Sequence, residues 1–146
     1  MIINPTKEKF QRTLIDDTFY ELLRLYANSL EKENSILFTL GFSFADEHIR
    51  DITLRAASSN PTLQIIVFAF DDKAQQTIKK ELGIENQPAR NSNITVISPS
   101  DFIKANFKDE EDKKKILKRI TNFDFTTILD EVLRPVTKLI RIKAEL

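Results

Sequence analysis

The chain has 146 residues, with 22 basic side chains against 22 acidic ones, no Cys, no Trp, a single His and only two Gly. That length suits one domain with a core of its own. It excludes disulfide scaffolds, thiolate metal sites, His-rich metal sites and cysteine nucleophiles, and the cancelled charge leaves no basic field to attract nucleic acid directly. Gly41 and Gly83 stand alone, so neither G-x-G-x-x-G nor a P-loop can form.

Residues 1–7 lack the long apolar core of a targeting signal. The longest apolar runs, near 36–40 and 65–70, are too short to cross a membrane. A soluble, cytoplasmic protein is expected. Ile2-Ile3-Asn4 reads as the tail of a strand, and Pro5 forbids helix just before it.

A helix is predicted from about 17 to 33, with Asp16 as N-cap and Phe19, Leu22, Leu23, Tyr26 and Leu30 on one face. Ser35-Ile36-Leu37-Phe38-Thr39-Leu40 has little polar alternation and reads as a strand buried on both faces. A second helix, about 46–57, turns Ile49, Ile52 and Ala56 inward and stops at Asn60-Pro61. Residues 63–70 form a second buried strand ending at Asp71-Asp72, one of which should cap the next helix. That third helix runs to Leu82 and stops at Gly83, a C′ glycine. Residues 84–93 are loop, and Ile94-Thr95-Val96-Ile97 is a third strand, followed by a helix with Pro99 in its first turn.

From Lys108 the chain becomes highly charged. Asp109, Glu110, Glu111 and Asp112 precede Lys113, Lys114, Lys115, Lys118 and Arg119, an order that complements a helix dipole. Glu110–Lys114 and Glu111–Lys115 have favourable spacing for ion pairs on a solvated helix face. A last helical stretch, about 126–143, carries Ile128, Leu129, Val132, Val136, Leu139 and Ile140, and Pro135 should kink or split it.

The strand–helix alternation implies right-handed crossovers and a parallel sheet of three to four strands, an α/β Rossmann-like three-layer sandwich with a C-terminal helical tail. Ligands of such sheets sit beyond the carboxyl ends of the strands, here 41–44, 71–72 and 98–101. Gly41-Phe42-Ser43-Phe44-Ala45-Asp46-Glu47-His48-Ile49 is the most distinctive of these turns. Ser43 and Asp46 have the spacing of a capping pair, and the helix start that follows offers free amides to a phosphate or a ribose hydroxyl.

Other chemistries are weaker. Asp46, Glu47, His48 and Asp51 bring one imidazole to a possible metal site. Ser43, His48 and Asp71 could be imagined as a triad, but Ala45 stands where a nucleophile elbow needs its second Gly. Asp71-Asp72 lacks the later Asp and Lys that a phosphorylation receiver adds. The eleven Phe residues read mostly as core.

The run from Ser35 to Ile49 resembles the G-[FYT]-S-x-x-D-x-H-[IL] segment of bacterial sirtuin-like domains. Asn4-Pro5-Thr6-Lys7-Glu8-Lys9-Phe10, Tyr20, Leu22-Leu23-Arg24 and Asn60-Pro61 are similar too, so the resemblance covers about residues 1–107. It implies a Rossmann-like domain that binds NAD, of a family in which many bacterial members are NAD hydrolases of antiphage defence. Gly41, Phe42 and Ser43 would then approach the adenosine half of NAD, with Asp71 on the adenosine side and Asp46 and His48 bracing the helix start. Asp71-Asp72 stands where family members commonly carry Asn-Arg. The family's glycine-rich loop and catalytic residues belong to an upstream half that these residues do not match.

The resemblance therefore implies the C-terminal half of such a domain, 1–107, followed by a charged and amphipathic helical tail, 108–146. Hydrolysis would need the other half, from a partner chain or a longer parent. The alternatives are a non-catalytic module sensing NAD or ADP-ribose and a protein–protein interaction module. Another chain, or a second copy, is the expected protein partner, because an incomplete sheet leaves an edge uncovered.

Overall fold

The computed structural model describes residues 7–87, 91–135 and 137. The expected strand at 2–4 and the end of the last helix, with Val136, Leu139 and Ile140, lie outside them. The chain runs α1 (Lys7–Leu30), β1 (Ile36–Leu40), α2 (Glu47–Ser59), β2 (Gln64–Phe68), α3 (Asp72–Glu81), β3 (Ile94–Ile97), α4 (Pro99–Asn106), α5 (Glu110–Leu117) and α6 (Phe125–Thr127), the last continued by a π-helical segment, Ile128–Leu133. The fold is mixed α/β around a parallel sheet of order β1-β2-β3.

The register sorts the strand residues onto two faces, because side chains alternate along a strand. Leu37 pairs with Ile65 and Ile65 with Ile94, while Thr39 pairs with Val67 and Val67 with Val96. This face packs on Leu30 of α1, Ala56 and Ala57 of α2, and Ile78 and Leu82 around α3. On the opposite face, Ile66, Phe68 and Ile97 pack on Ile103 of α4 and on Ile116, Ile120, Phe123, Ile128 and Val132. The segment expected as a charged tail thus supplies the cover of that second face. Its acidic and basic residues point outward, and the apolar ones between them reach the sheet.

Several local expectations are corrected. Helix α1 begins by Lys7 among the described residues, so Asp16 lies inside it and is not its N-cap. Phe19 and Leu22, expected on the buried face, are exposed; Leu30 is buried and the Tyr26 hydroxyl reaches Thr53 of α2 across 2.7 Å. Among the described residues strand β1 lies at the edge of the sheet, and Ile36, Phe38 and Leu40 are exposed where burial on both faces was expected. An apolar run alone does not say how many neighbours a strand has. In α5, Lys113 pairs with Glu110 at 2.6 Å, three residues away and not the expected four.

Helical backbone among the described residues reaches Pro135 itself, and 136 and 138–146, where a split would show, lie outside them. In a regular α-helix a proline ring would clash with the carbonyl four residues earlier. Upstream of Pro135 the helix widens into the π segment, where the Arg134 amide reaches back to Leu129 O.

Turn chemistry follows the sequence closely. Gly83 has φ +66°, its amide donates to Lys80 O and the Ile84 amide to Lys79 O, which together close α3 in a Schellman motif. At the other end of the sheet, two asparagines replace water as partners of buried carbonyls. Asn93 Nδ2 donates to Ala57 O, Asn60 O and Leu63 O, while Asn60 Nδ2 holds Leu30 O and Lys32 O. No helix among the described residues is long and apolar enough to cross a membrane.

Candidate functional site

The carboxyl ends of the strands are built from capped helix starts. Asp46 accepts from the Ile49 amide at 3.0 Å, Asp71 from the Ala74 amide at 2.7 Å, and Ser98 from the Asp101 amide at 3.3 Å. Asp46, and not Ser43, is the N-cap of α2. Each cap satisfies an amide that the first helical turn leaves free.

The β1–α2 turn carries backbone strain. Gly41 has φ +67°, and a Cβ there would meet nothing within 4 Å, so the dihedral and not the space calls for glycine. Phe44 has φ +60°, an outlier for a bulky residue. Its ring is fully buried and meets Phe42 edge-on at 4.9 Å. Arg50 Nη1 donates to Phe44 O at 3.1 Å and bridges to Glu81 at 3.1 Å, tying the turn to α2 and α3. Burial of the ring and these bonds offset the dihedral cost.

Between this turn and α3 lies a cleft of about 440 Å³, within the roughly 300–1,000 Å³ of small-molecule sites. Gly41, Phe42 and Ser43 form one wall, Phe68 and Phe70 the floor and rim, and Asp71, Lys73, Ala74, Thr77 and Ile78 the other wall. Phe70 is 50% exposed, which leaves its ring free to stack on a planar group. The Ser43 hydroxyl offers donor and acceptor, Thr77 an acceptor, since its proton goes to Lys73 O at 3.2 Å, Lys73 supplies a cation, and Asp71 an acceptor whose Oδ1 already holds the α3 cap.

A smaller cleft of about 240 Å³ opens on the far side of Asp71, lined by Asp72, Pro99, Ser100, Leu117, Ile120 and Thr121. Ser100 Oγ donates to Asp72 Oδ2 at 2.6 Å. That hydrogen bond, helped by the Ser98 hydroxyl, holds the Asp72 carboxyl below its ordinary value of 3.8.

Of the six residues singled out from sequence, Gly41, Phe42, Ser43 and Asp71 come together in the larger cleft. Asp46 is turned to its own helix, and His48 is exposed on α2 and does not line the cleft. Ser43, His48 and Asp71 therefore do not assemble as a triad. Among the described residues, no group of three His, Asp or Glu could hold a metal ion.

Phe68, Phe70, Lys73, Ala74, Thr77 and Ile78 line the cleft without having been singled out. Their signal was present: 73, 74, 77 and 78 share one helical face directly after a strand end. No family model matches the chain, and neither the curated proteins nor the solved structures contain a significant match.

Proposed function

We propose that the larger cleft binds the adenosine half of NAD. On this reading the chain is the NAD-binding portion of a sirtuin-like domain, of the kind that serves NAD-hydrolysing antiphage defence in bacteria, and is not catalytic alone. One observation carries the reading: the cleft lies beyond the carboxyl ends of β1 and β2, where open parallel sheets take their ligands, and four residues chosen from the sequence line it. Its chemistry suits a nucleoside, with aromatic rings for the base, hydroxyls and a carboxylate for the ribose, and Lys73 for a phosphate. Residues acting at the nicotinamide ribose would come from another chain or another part of a longer one.

A second reading is a non-catalytic module that senses NAD or ADP-ribose. Asp71 is the one carboxylate lining the cleft among the described residues, and its Oδ1 is held by the Ala74 amide, which favours binding over chemistry.

Thermal unfolding with NAD, ADP-ribose and adenosine tests both readings. Ligand at a hundred times its Kd adds about 2.7 kcal/mol of stability. No shift at millimolar concentrations of any of the three overturns both. Binding without NAD loss, followed by NAD loss when a separately folded sirtuin-like N-terminal half is added, supports the first. NAD loss by this chain alone overturns its non-catalytic part.

A further inference from the structure

We infer that Arg50 is the positioning residue of the larger cleft: its guanidinium fixes the spacing of the two walls and, through Phe44, sets where the Phe42 ring stands. The inference rests on the proposal that this cleft takes a nucleoside, and its test separates the two.

The two walls belong to different crossovers of the sheet. One is the β1–α2 turn, which contributes Gly41, Phe42 and Ser43, and the other is the face of α3 that carries Lys73, Thr77 and Ile78. Glu81 ends α3 on that same face, four residues past Thr77 and three past Ile78. Arg50, in the first turn of α2, spans from one wall to the other. Its Nη1 donates to Phe44 O at 3.1 Å and to Glu81 Oε2 at 3.1 Å, with Ala45 O at 3.5 Å. Among the described residues, no other side chain is hydrogen-bonded to both the turn and α3.

The turn needs such a support. Phe44 sits at φ +60°, where bulky L-residues are outliers. Its ring is fully buried and stands edge-on to Phe42 at 4.9 Å, and Phe42 itself lines the cleft. Contacts therefore run unbroken from Glu81 through Arg50 and the Phe44 backbone to a ring on the cleft wall. Without Arg50, Phe44 O loses its side-chain donor, and the backbone is released to leave the left-handed region. The turn then carries Phe42 with it, and the cleft changes shape.

The Arg50 side chain is 21% exposed and that of Glu81 38%. Ion pairs that reach solvent contribute little to global stability. The fold rests instead on the two apolar clusters that cover the sheet. This pair is thus better placed to set a local geometry than to hold the protein together.

Arg50→Met keeps the aliphatic stem and removes both bonds. Glu81→Lys sets a like charge before the guanidinium and leaves Phe44 O within its reach. Each variant of the whole chain is compared with wild type by NMR and by titration with adenosine and ADP-ribose. The coupling between the Phe44 amide and α protons reports its φ, and the Overhauser effect between the Phe42 and Phe44 rings reports their contact. In Arg50→Met the Phe44 coupling should change, the ring contact should weaken and the amides of 41–44 should shift. Adenosine should bind about tenfold more weakly, the equivalent of one charge-assisted hydrogen bond. Glu81→Lys should give the same changes to a smaller extent. The Ala74 amide, held by Asp71 at the far end of α3, should stay where it is, which a general loss of structure would not permit. If Arg50→Met fails to fold, Glu81→Lys decides. Folded variants with an unchanged turn overturn the inference, as does weaker adenosine binding with no change at 41–44. If wild type binds neither ligand, the nucleoside reading alone fails, and the coupling and ring contact still decide whether Arg50 positions this wall.

Discussion

Ser100 Oγ donates to Asp72 Oδ2 across 2.6 Å and thereby ties the first turn of α4 to the first turn of α3. The bond favours the charged carboxylate, so the folded-state pKa of Asp72 lies below its unfolded value of 3.8. The stability it contributes is fully present above the unfolded pKa and is lost as pH falls through the lower folded one. Ser100→Ala should raise the Asp72 midpoint toward 3.8 in a carboxyl NMR titration. It should also lower stability near neutral pH, with the difference from wild type vanishing in acid. An unmoved midpoint would show that Ser100 does not hold the charge.

Tyr26 joins α1 to α2 through one hydrogen bond. Thr53 Oγ1 already donates its single proton to Ile49 O at 2.6 Å, so the Tyr26 hydroxyl, 2.7 Å away, is the donor between them. Thr53 is fully buried, and water cannot replace that donor. Tyr26→Phe should therefore cost about 1 kcal/mol in urea unfolding. Burial raises the phenol above its ordinary 10.0. Its contribution is present below pH 10.0 and declines as pH rises through the folded value, so wild type and variant should converge at high pH.

Asn93 holds the amino end of the sheet through a different device. It is 1% exposed, and its Nδ2 reaches three carbonyls. Two of them have other donors: Asn91 Nδ2 reaches Ala57 O at 2.7 Å and the Leu63 amide reaches Asn60 O at 3.2 Å. Leu63 O depends on Asn93. Asn93→Ala should cost about 2–3 kcal/mol through the stranded carbonyl and the lost packing. Asn91→Ala, at a partly exposed position, should cost less than about 1 kcal/mol. Equal losses in denaturant titrations would contradict this division.

Features with local causes were legible in the sequence. Gly83, Asp71 and Pro99 stop or start helices through their own backbone or side-chain chemistry, and the structure uses them that way. Features set by neighbours were not. The apolar run 36–40 reads the same whether β1 lies inside a sheet or at its edge, so the exposure of Phe38 could not be seen. Ile116, Ile120, Phe123 and Ile128 cover the second face of the sheet, but the mixed charges around them dominate the pattern. The cleft was half legible. Its Gly41–Ser43 wall stands out in sequence, whereas Lys73 and Thr77 enter it only because α3 crosses back beside that turn.

Gly41→Ala separates dihedral cost from crowding. The site has room for a methyl group, so the penalty is that of holding an L-residue at φ +67°, about 1–2 kcal/mol. Gly41→Asn should cost less, because Asn tolerates the left-handed region better than other side chains. Thermal unfolding of the two variants checks the order. A larger loss for Asn than for Ala would mean that side-chain volume, and not the dihedral, governs this turn.

Asp71→Asn divides the structural from the binding role of one residue. Asn caps helices about as well as Asp, so the bond from the Ala74 amide survives and stability should change by only a few tenths of a kcal/mol. What changes is the charge facing the cleft. A ribose hydroxyl bonded to a carboxylate is worth about 1 kcal/mol more than one bonded to a neutral amide, which is roughly a fivefold change in Kd. Asp71→Asn should therefore weaken adenosine, ADP-ribose and NAD by similar factors while leaving the ligand-free unfolding midpoint in place. Asp71→Ala should lose both the cap and the ligand bond. If Asp71→Asn binds all three as tightly as wild type, Asp71 serves α3 alone and the ribose, if it binds, lies elsewhere in the cleft.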